Sequence, residues 1–260
     1  HGSVDAELDK EGSFLSDAAG GGFLWEFQVT IPGRPEGQRA EYSWFIMDEM
    51  KLLDSGGTAI GRLHNDVNLA TVMATYNGQT IQIPRIQDAT AQDMFAWDVA
   101  WTSEGVAATR TINLLCRCQC TASTCHWGDC ENYWFQYDDG TWATNGFCQC
   151  WTEQQNMTFV FVYKTTDMSL VENYGALGYQ VNNLAQLYYI ADGNISVQVD
   201  YDDATVPIPN LFEKQLTHDF NGYTAHYKIT VNEAKLVLTN GSPLTIHDAM
   251  TDTLAYISGS

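Results

Sequence analysis

Asp48 lies in the run SWFIMDEM, Ser43 to Met50. Successive side chains of a strand point to opposite faces, so Trp44, Ile46, Asp48 and Met50 share one face. Three of the four are apolar and the fourth is a carboxylate. An unpaired carboxylate among apolar side chains is costly to bury, so a chain normally avoids it or shifts its pKa upward. The pattern recurs: WFIMDEM (44–50) matches LTIHDAM (244–250), where Leu244, Ile246, Asp248 and Met250 share a face. Likewise FQVTI (27–31) matches YKITV (227–231), and 21 residues separate Phe27 from Asp48 just as 21 separate Tyr227 from Asp248. Upstream of each copy stands a lysine with apolar neighbours two residues away, Lys10 after Leu8 and Lys214 between Phe212 and Leu216. Each copy therefore aims a lysine and an aspartate at the same interior.

The elements that must position these groups are strands. Alternating runs rich in Val, Ile, Thr, Tyr, Phe and Trp recur throughout, and helical periodicity is scarce, which predicts a mostly β fold. The strands read FLWEFQVTI, YSWFIMDEM, TVMATY, TIQIP, ATRTINLL, MTFVFVYK, QVNNLAQLYYI and ISVQVDY; Asn77-Gly78, between the third and fourth, suits a two-residue hairpin turn. Short helical pieces are expected around 49–54, 88–96 and 168–176. The two prolines of TVPIPN (205–210) suit a connection between modules. The first module then covers 1–207 with an insertion at about 104–156, and the second covers 208–260. That second stretch is about half of a sandwich domain of ~100 residues, so it is incomplete, either cut short or completed by another chain.

Together these residues resemble the Ig-like, isopeptide-forming modules of Gram-positive surface proteins and pilins, of the collagen-adhesin type. The resemblance rests on short stretches of both modules and does not extend well over 52–175. It implies an Ig-like β-sandwich with a Cys-rich insertion, followed by a second, incomplete Ig-like module. It also implies a first-strand lysine bonded to a last-strand asparagine beside a buried acid. The matching positions are Lys10, Asp48 and, in YQVNNLAQLYY, Asn183, which shares a face with Val181, Ala185 and Leu187. Asn182, on the opposite face, is the competing acceptor. Burial favours the neutral amine and the neutral acid; the amine is then a nucleophile, and a protonated acid polarises an amide carbonyl. On this reading Lys10 attacks the side-chain carbonyl of Asn183, Asp48 shuttles protons and ammonia leaves. The event happens once per molecule, so the chain is not an enzyme in the turnover sense. The plainer alternative is an ordinary Lys10–Asp48 salt bridge, or a lysine that reaches to water. In the second module Lys214 and Asp248 repeat the first two members. Asn221, Asn232 and Asn240 all precede Asp248, where no closing strand supplies an acceptor. Lys214 is expected to stay an amine, and the open edge suits a strand from a neighbouring molecule.

All seven cysteines lie between 116 and 150, so the sulfur chemistry belongs to one local element. Read as an extended hairpin, Cys116, Cys118 and Cys120 fall on one face, as do Cys148 and Cys150, with Cys125, His126 and Cys130 in the connecting loop. In an oxidising setting disulfides staple such an insertion, and this is the favoured reading. The alternative is a structural zinc held by several of these thiolates with His126, although the usual C-x2-C spacing is absent. The odd cysteine count fits neither reading. The insertion also carries Trp127, Tyr133, Trp134, Phe135, Tyr137, Trp142, Phe147 and Trp151; those not needed to cover the sulfurs would form a ligand surface. YDDG (137–140) and DYDD (200–203) are acidic runs that either bind calcium or stay solvated. The triplets at Asn156, Asn194 and Asn240 fit the glycosylation pattern.

The chain has 32 acidic and 12 basic residues and a formal net charge of -20, which argues against nucleic acid and anionic membrane surfaces as partners. No apolar run reaches the roughly 20 residues of a membrane span. His1-Gly2-Ser3 reads as a tag remnant, which leaves room for a removed leader or anchor. No phosphate loop, H-E-x-x-H or G-x-S-x-G motif is present. The leading expectation is a structural or adhesive module of a bacterial surface protein or pilus. It would be extracellular and anchored to the cell wall, and would require no cofactor. Its partners would be a ligand on a host or neighbouring cell, and other copies of itself through the second module. The competing expectations are a host-ligand binding module that uses the aromatic lobe, and a metal-binding protein built on the cysteines.

Overall fold

The computed structural model describes residues 5–15, 21–33, 43–63, 67–104, 108–117, 132–149, 151, 153–165, 178–191, 195–210, 212–218 and 226–232. Among the described residues sixteen strands run in chain order: β1 (Glu7–Leu15), β2 (Gly22–Ile31), β3 (Ser43–Leu53), β4 (Ala59–Arg62), β5 (Thr71–Tyr76), β6 (Gln79–Gln82), β7 (Phe95–Glu104) and β8 (Ala108–Arg117). They continue as β9 (Phe135–Gln136), β10 (Trp142–Ala143), β11 (Phe147–Cys148), β12 (Met157–Thr165), β13 (Gln180–Ala191), β14 (Ile195–Pro207), β15 (Phe212–His218) and β16 (His226–Val231). No α-helix occurs among the described residues. The predicted mostly β fold is what the structure has. The helical expectations fail where they can be seen. Residues 49–53 continue β3, and 86–88 form one 3-10 turn before β7. The stretch 168–176 lies outside the described residues. The helix-forming letters Glu49 to Leu53 are overruled because β3 is paired on both sides and alternates in burial along its whole length.

Two antiparallel sheets face each other as a β-sandwich. One has the order β1-β2-β12-β5-β6; the other has β11-β8-β3-β13-β14, with β4 and β7 added beside β3 and β8. Their inner faces share one core in which Trp25, Phe27, Trp44, Ile46, Phe159, Phe161 and Leu187 are buried. Phe161 stacks on Phe27 within its sheet and meets Trp97 of the opposite sheet edge-on at 5.9 Å between centroids. Each fully buried side chain of this size contributes about 1.5–3 kcal/mol. The core as a whole can therefore carry a buried charged pair costing several kcal/mol.

β1 is the edge of its sheet and lies against β14, the edge of the other. Gly12 permits the approach: a Cβ there would stand 2.5 Å from the Trp25 ring and 2.8 Å from a Val206 methyl. The free-edge amides of β1 are then satisfied by side chains instead of a strand. Leu8 N–H donates to Asp200 at 2.9 Å and Lys10 N–H to Asp202 at 2.8 Å. The DYDD run is thereby employed as a clasp between the two sheets, an arrangement that also blunts an exposed edge.

The insertion packs on the outer face of β7 and β8. Ile86, Ala96, Leu115, Phe135 and Phe147 form a second, smaller core there. Arg117 holds it down by donating to the carbonyls of Asp93, Thr90 and Asn145. Two residues of the cysteine region, Cys116 and Trp151, belong to the main sandwich core instead. Beyond β14, strands β15 and β16 pair only with each other among the described residues. Phe212, Lys214 and Leu216 stand opposite Val231, Ile229 and Tyr227, so one face of this hairpin is apolar apart from the lysine. All five apolar members are more than a third exposed.

Candidate functional site

Four strands from both sheets place four polar side chains together inside the apolar core. Each arrives by strict alternation. Lys10 follows Leu8 on β1, Asp48 follows Trp44 and Ile46 on β3, and Tyr163 follows Phe159 and Phe161 on β12. Asn183 lies between Val181 and Ala185 on β13. On β13 it is Ala185 that faces Asp48 and Asn183 that faces Met50, so Asn183 sits one pleat along from the acid on the same side.

The contacts form a chain. Lys10 Nζ stands 2.5 Å from Asp48 Oδ1, with both side chains fully buried. The Tyr163 hydroxyl donates to Asp48 Oδ2 at 2.7 Å, and Asn183 Nδ2 donates to that same hydroxyl at 2.5 Å. Lys10 Nζ is 3.5 Å from the Tyr163 oxygen and 4.8 Å from the centre of the Phe27 ring. A phenol has one proton to donate. With that proton committed to the acid, the hydroxyl faces the amino end of the Asn183 amide. The carbonyl oxygen, Oδ1, is buried without a hydrogen-bond partner.

Burial pushes the Lys10 amine below its ordinary pKa, and this outweighs the opposing pull of Asp48 and, more weakly, Asp202. The 2.5 Å Nζ–Oδ1 contact is a path along which the amine can hand a proton to the carboxylate. The site thus holds a nucleophile, a proton acceptor, a hydroxyl and an amide, shielded from water.

Asn182 is directed elsewhere. Its Nδ2 donates to Asp203 at 2.7 Å and to Thr205 at 2.9 Å, on the face away from Lys10. Lys10, Asp48 and Asn183 are brought together. Tyr163 was not singled out from the sequence. Its signal was present: a hydroxyl-bearing aromatic at an inward position of MTFVFVYK, in step with Phe159 and Phe161.

A second trio of the same kind lies outside the main core. The Tyr133 hydroxyl donates to Asp98 at 2.9 Å and accepts from Asn113 at 3.0 Å, and Gln149 donates to Asn113 at 2.8 Å. Burial raises the pKa of Asp98 and of Tyr133. The cation beside this trio is Arg85, 3.8 Å from Asp98. A guanidinium stays protonated and is no nucleophile.

Lys214 is half-buried on the apolar face of the β15–β16 hairpin, 4.5 Å from the centre of the Tyr227 ring. Asp248 lies outside the described residues, as do Cys118, Cys120, Cys125, His126, Cys130 and Cys150. Cys116 and Cys148 are described: they stand directly opposite each other on β8 and β11, and both are buried. No group of three metal-ligating side chains occurs among the described residues. The YDDG run is a tight turn. Asp139 accepts from the amide and hydroxyl of Thr141, which lowers its pKa, and Gly140 takes a positive φ of 85°. Trp134 and Trp142 are each 62% exposed. Trp142 pairs with Gln136, so both indoles flank that glutamine on one face of the lobe.

No family model matches the chain, and no curated protein matches it. Solved structures give distant likenesses. ACE19, the collagen-binding subdomain of the Enterococcus faecalis surface protein ACE, is 7% identical with a TM-score of 0.33, over 77% of this chain and 95% of its own. The collagen-binding domain from a Staphylococcus aureus adhesin is 11% identical with a TM-score of 0.30, over 80% of this chain and 99% of its own. BcpA, the major pilin subunit of Bacillus cereus, is 8% identical with a TM-score of 0.33, over 81% of this chain and 41% of its own. At these identities and scores the likenesses carry no functional argument; the site's own geometry does.

Proposed function

We propose that this chain is a structural or adhesive module of a bacterial surface protein or pilus, extracellular and anchored to the cell wall. Its sandwich is locked by an isopeptide bond that Lys10 forms with Asn183 of the same molecule. The observation that carries the reading is the convergence of a buried amine of lowered pKa, an acid at 2.5 Å and a buried amide on separate strands of one dry core. Lys10 Nζ gives a proton to Asp48 and attacks Cγ of Asn183. The Nζ–Cγ bond forms, the Cγ–Nδ2 bond breaks, and Nδ2 departs as ammonia. A bond from β1 to β13 ties the two sheets together near the edge where the first strand would otherwise peel. Such a tie suits a module that bears mechanical load.

Intact-mass measurement of the purified chain should find it about 17 Da lighter than its sequence, the mass of one ammonia. Asp48→Ala should restore the full mass. Only one ammonia is lost, because the Asp98–Tyr133–Asn113 trio has an arginine where the reaction needs an amine. A wild-type chain at full mass would leave Lys10 and Asp48 as an ordinary buried ion pair.

One further observation bears on the lobe. The exposed Trp134 and Trp142 favour a second reading, in which this lobe meets a host ligand. Replacing both with alanine should then abolish binding to host cells while the mass deficit stays.

A further inference from the structure

We propose that Tyr163 is a catalytic residue of the cross-linking reaction, the one that delivers the proton to the departing nitrogen of Asn183. This rests on the isopeptide reading and goes beyond it. The acid was expected to act on the amide carbonyl, yet Oδ1 of Asn183 has no hydrogen-bond partner. What touches Nδ2 is the Tyr163 hydroxyl, at 2.5 Å, and the same hydroxyl touches Asp48 Oδ2 at 2.7 Å. Asp48 meets the amine with one oxygen and the tyrosine with the other. The two ends of the reaction, the nitrogen that arrives and the nitrogen that leaves, are thus joined through one carboxyl and one phenol.

The chemistry requires such a link. An amide nitrogen does not leave as an anion; it must be protonated first, by a group within hydrogen-bond reach. In the resting site the hydroxyl donates to Asp48 and accepts from Nδ2. Proton transfer from Nζ to Oδ1 makes Asp48 an acid, and attack of Nζ on Cγ turns Nδ2 into a tetrahedral amine with a lone pair. Both hydrogen bonds then reverse. The Asp48 carboxyl turns about its Cβ–Cγ bond, carrying its proton from the amine side to the phenol oxygen, while the phenol proton moves to Nδ2, so the tyrosine stays neutral throughout. Asp48 next takes the remaining extra proton from Nζ. The carbonyl re-forms, Nδ2 leaves as ammonia, and every proton is accounted for: one on the new amide, three on ammonia, one on Asp48. The Tyr133 trio has the same hydrogen-bond pattern beside an arginine, and no cross-link is expected there.

The test is the rate of ammonia loss after refolding from denaturant, followed by intact mass in wild type and Tyr163→Phe. Phenylalanine keeps the ring among Phe27 and Phe161 and removes only the hydroxyl. The variant should fold, by near-ultraviolet circular dichroism, and should form the bridge at least about tenfold more slowly than wild type, if at all. A wild type without mass deficit would sink the isopeptide reading itself. A wild-type deficit that Tyr163→Phe reproduces at the same rate would leave the bridge standing and overturn the relay. Should the variant not fold, incorporation of 3-fluorotyrosine keeps shape and hydroxyl while changing the proton affinity. The relay then requires the pH profile of the bridging rate to shift, and an unchanged profile would overturn it.

Discussion

Asn183→Ala is expected to unfold at a far lower denaturant concentration than wild type, by about 5 kcal/mol of stability. The proposed bridge would close a loop of roughly 170 residues between Lys10 and Asn183, and cross-links over loops of that length remove close to 5 kcal/mol of chain entropy from the unfolded state. The side-chain change adds only about 1 kcal/mol, the net worth of the lost hydrogen bond. The denaturant slope should change as well, because an unbridged chain exposes more surface when it unfolds. Equilibrium unfolding in urea, with the bridge verified by mass in each sample, measures both quantities. Midpoints that differ by no more than the hydrogen bond is worth would mean that no covalent tie exists.

Asp48→Ala should be less stable than Asn183→Ala near neutral pH, by a further 3–5 kcal/mol or so. Both variants lack the bridge, but the first also strands a buried amine without its counter-charge. The pH dependence separates the contributions. Burial lowers the Lys10 pKa from its ordinary value of 10.5, and Asp48 pulls it back up. Between that lowered value and 10.5, the unfolded chain binds a proton that the folded chain does not, so stability rises with pH across that window. Asn183→Ala should show this rise. Asp48→Ala should show it over a wider window, since the group that raises the Lys10 pKa is gone. In a bridged wild type Lys10 would be an amide and would contribute no slope. Urea midpoints recorded from about pH 6 to pH 10 provide the comparison, and identical profiles for all three proteins would contradict the site as drawn.

The two halves of the chain present the lysine–aspartate theme differently. In the sandwich, Lys10 is sealed beneath both sheets. In the β15–β16 hairpin, Lys214 lies on an apolar face that remains more than a third exposed at Phe212, Leu216, Tyr227, Ile229 and Val231. Burial is what depresses the Lys10 pKa. Lys214 lies on an open hairpin face with its amine 4.5 Å from the centre of the Tyr227 ring.

What the sequence by itself determined is the face on which each side chain lies. A strand alternates with period two, so SWFIMDEM commits Asp48 to the side of Trp44, Ile46 and Met50 before any partner is known. LDK and VNNLA do the same for Lys10 and Asn183. Alternation likewise separated Asn183 from Asn182, although only the structure put Asp203 and Thr205 next to the latter. The mostly β character followed from the same local rule. Tertiary structure decided who meets whom. Tyr163 is as regular in its strand as Phe161, and its role appears only because β12 crosses opposite β3 and β13. The clasp of Asp200 and Asp202 on β1 depends on two sheet edges lying side by side, almost the full length of the sandwich apart in sequence. Cys116, grouped with the lobe by its spacing, belongs to the sandwich core because β8 carries it inward past Leu114. Period-two patterning is a property of a few consecutive residues. Pairing order and the stacking of one sheet on another depend on the whole core at once, and that is the level at which this site is assembled.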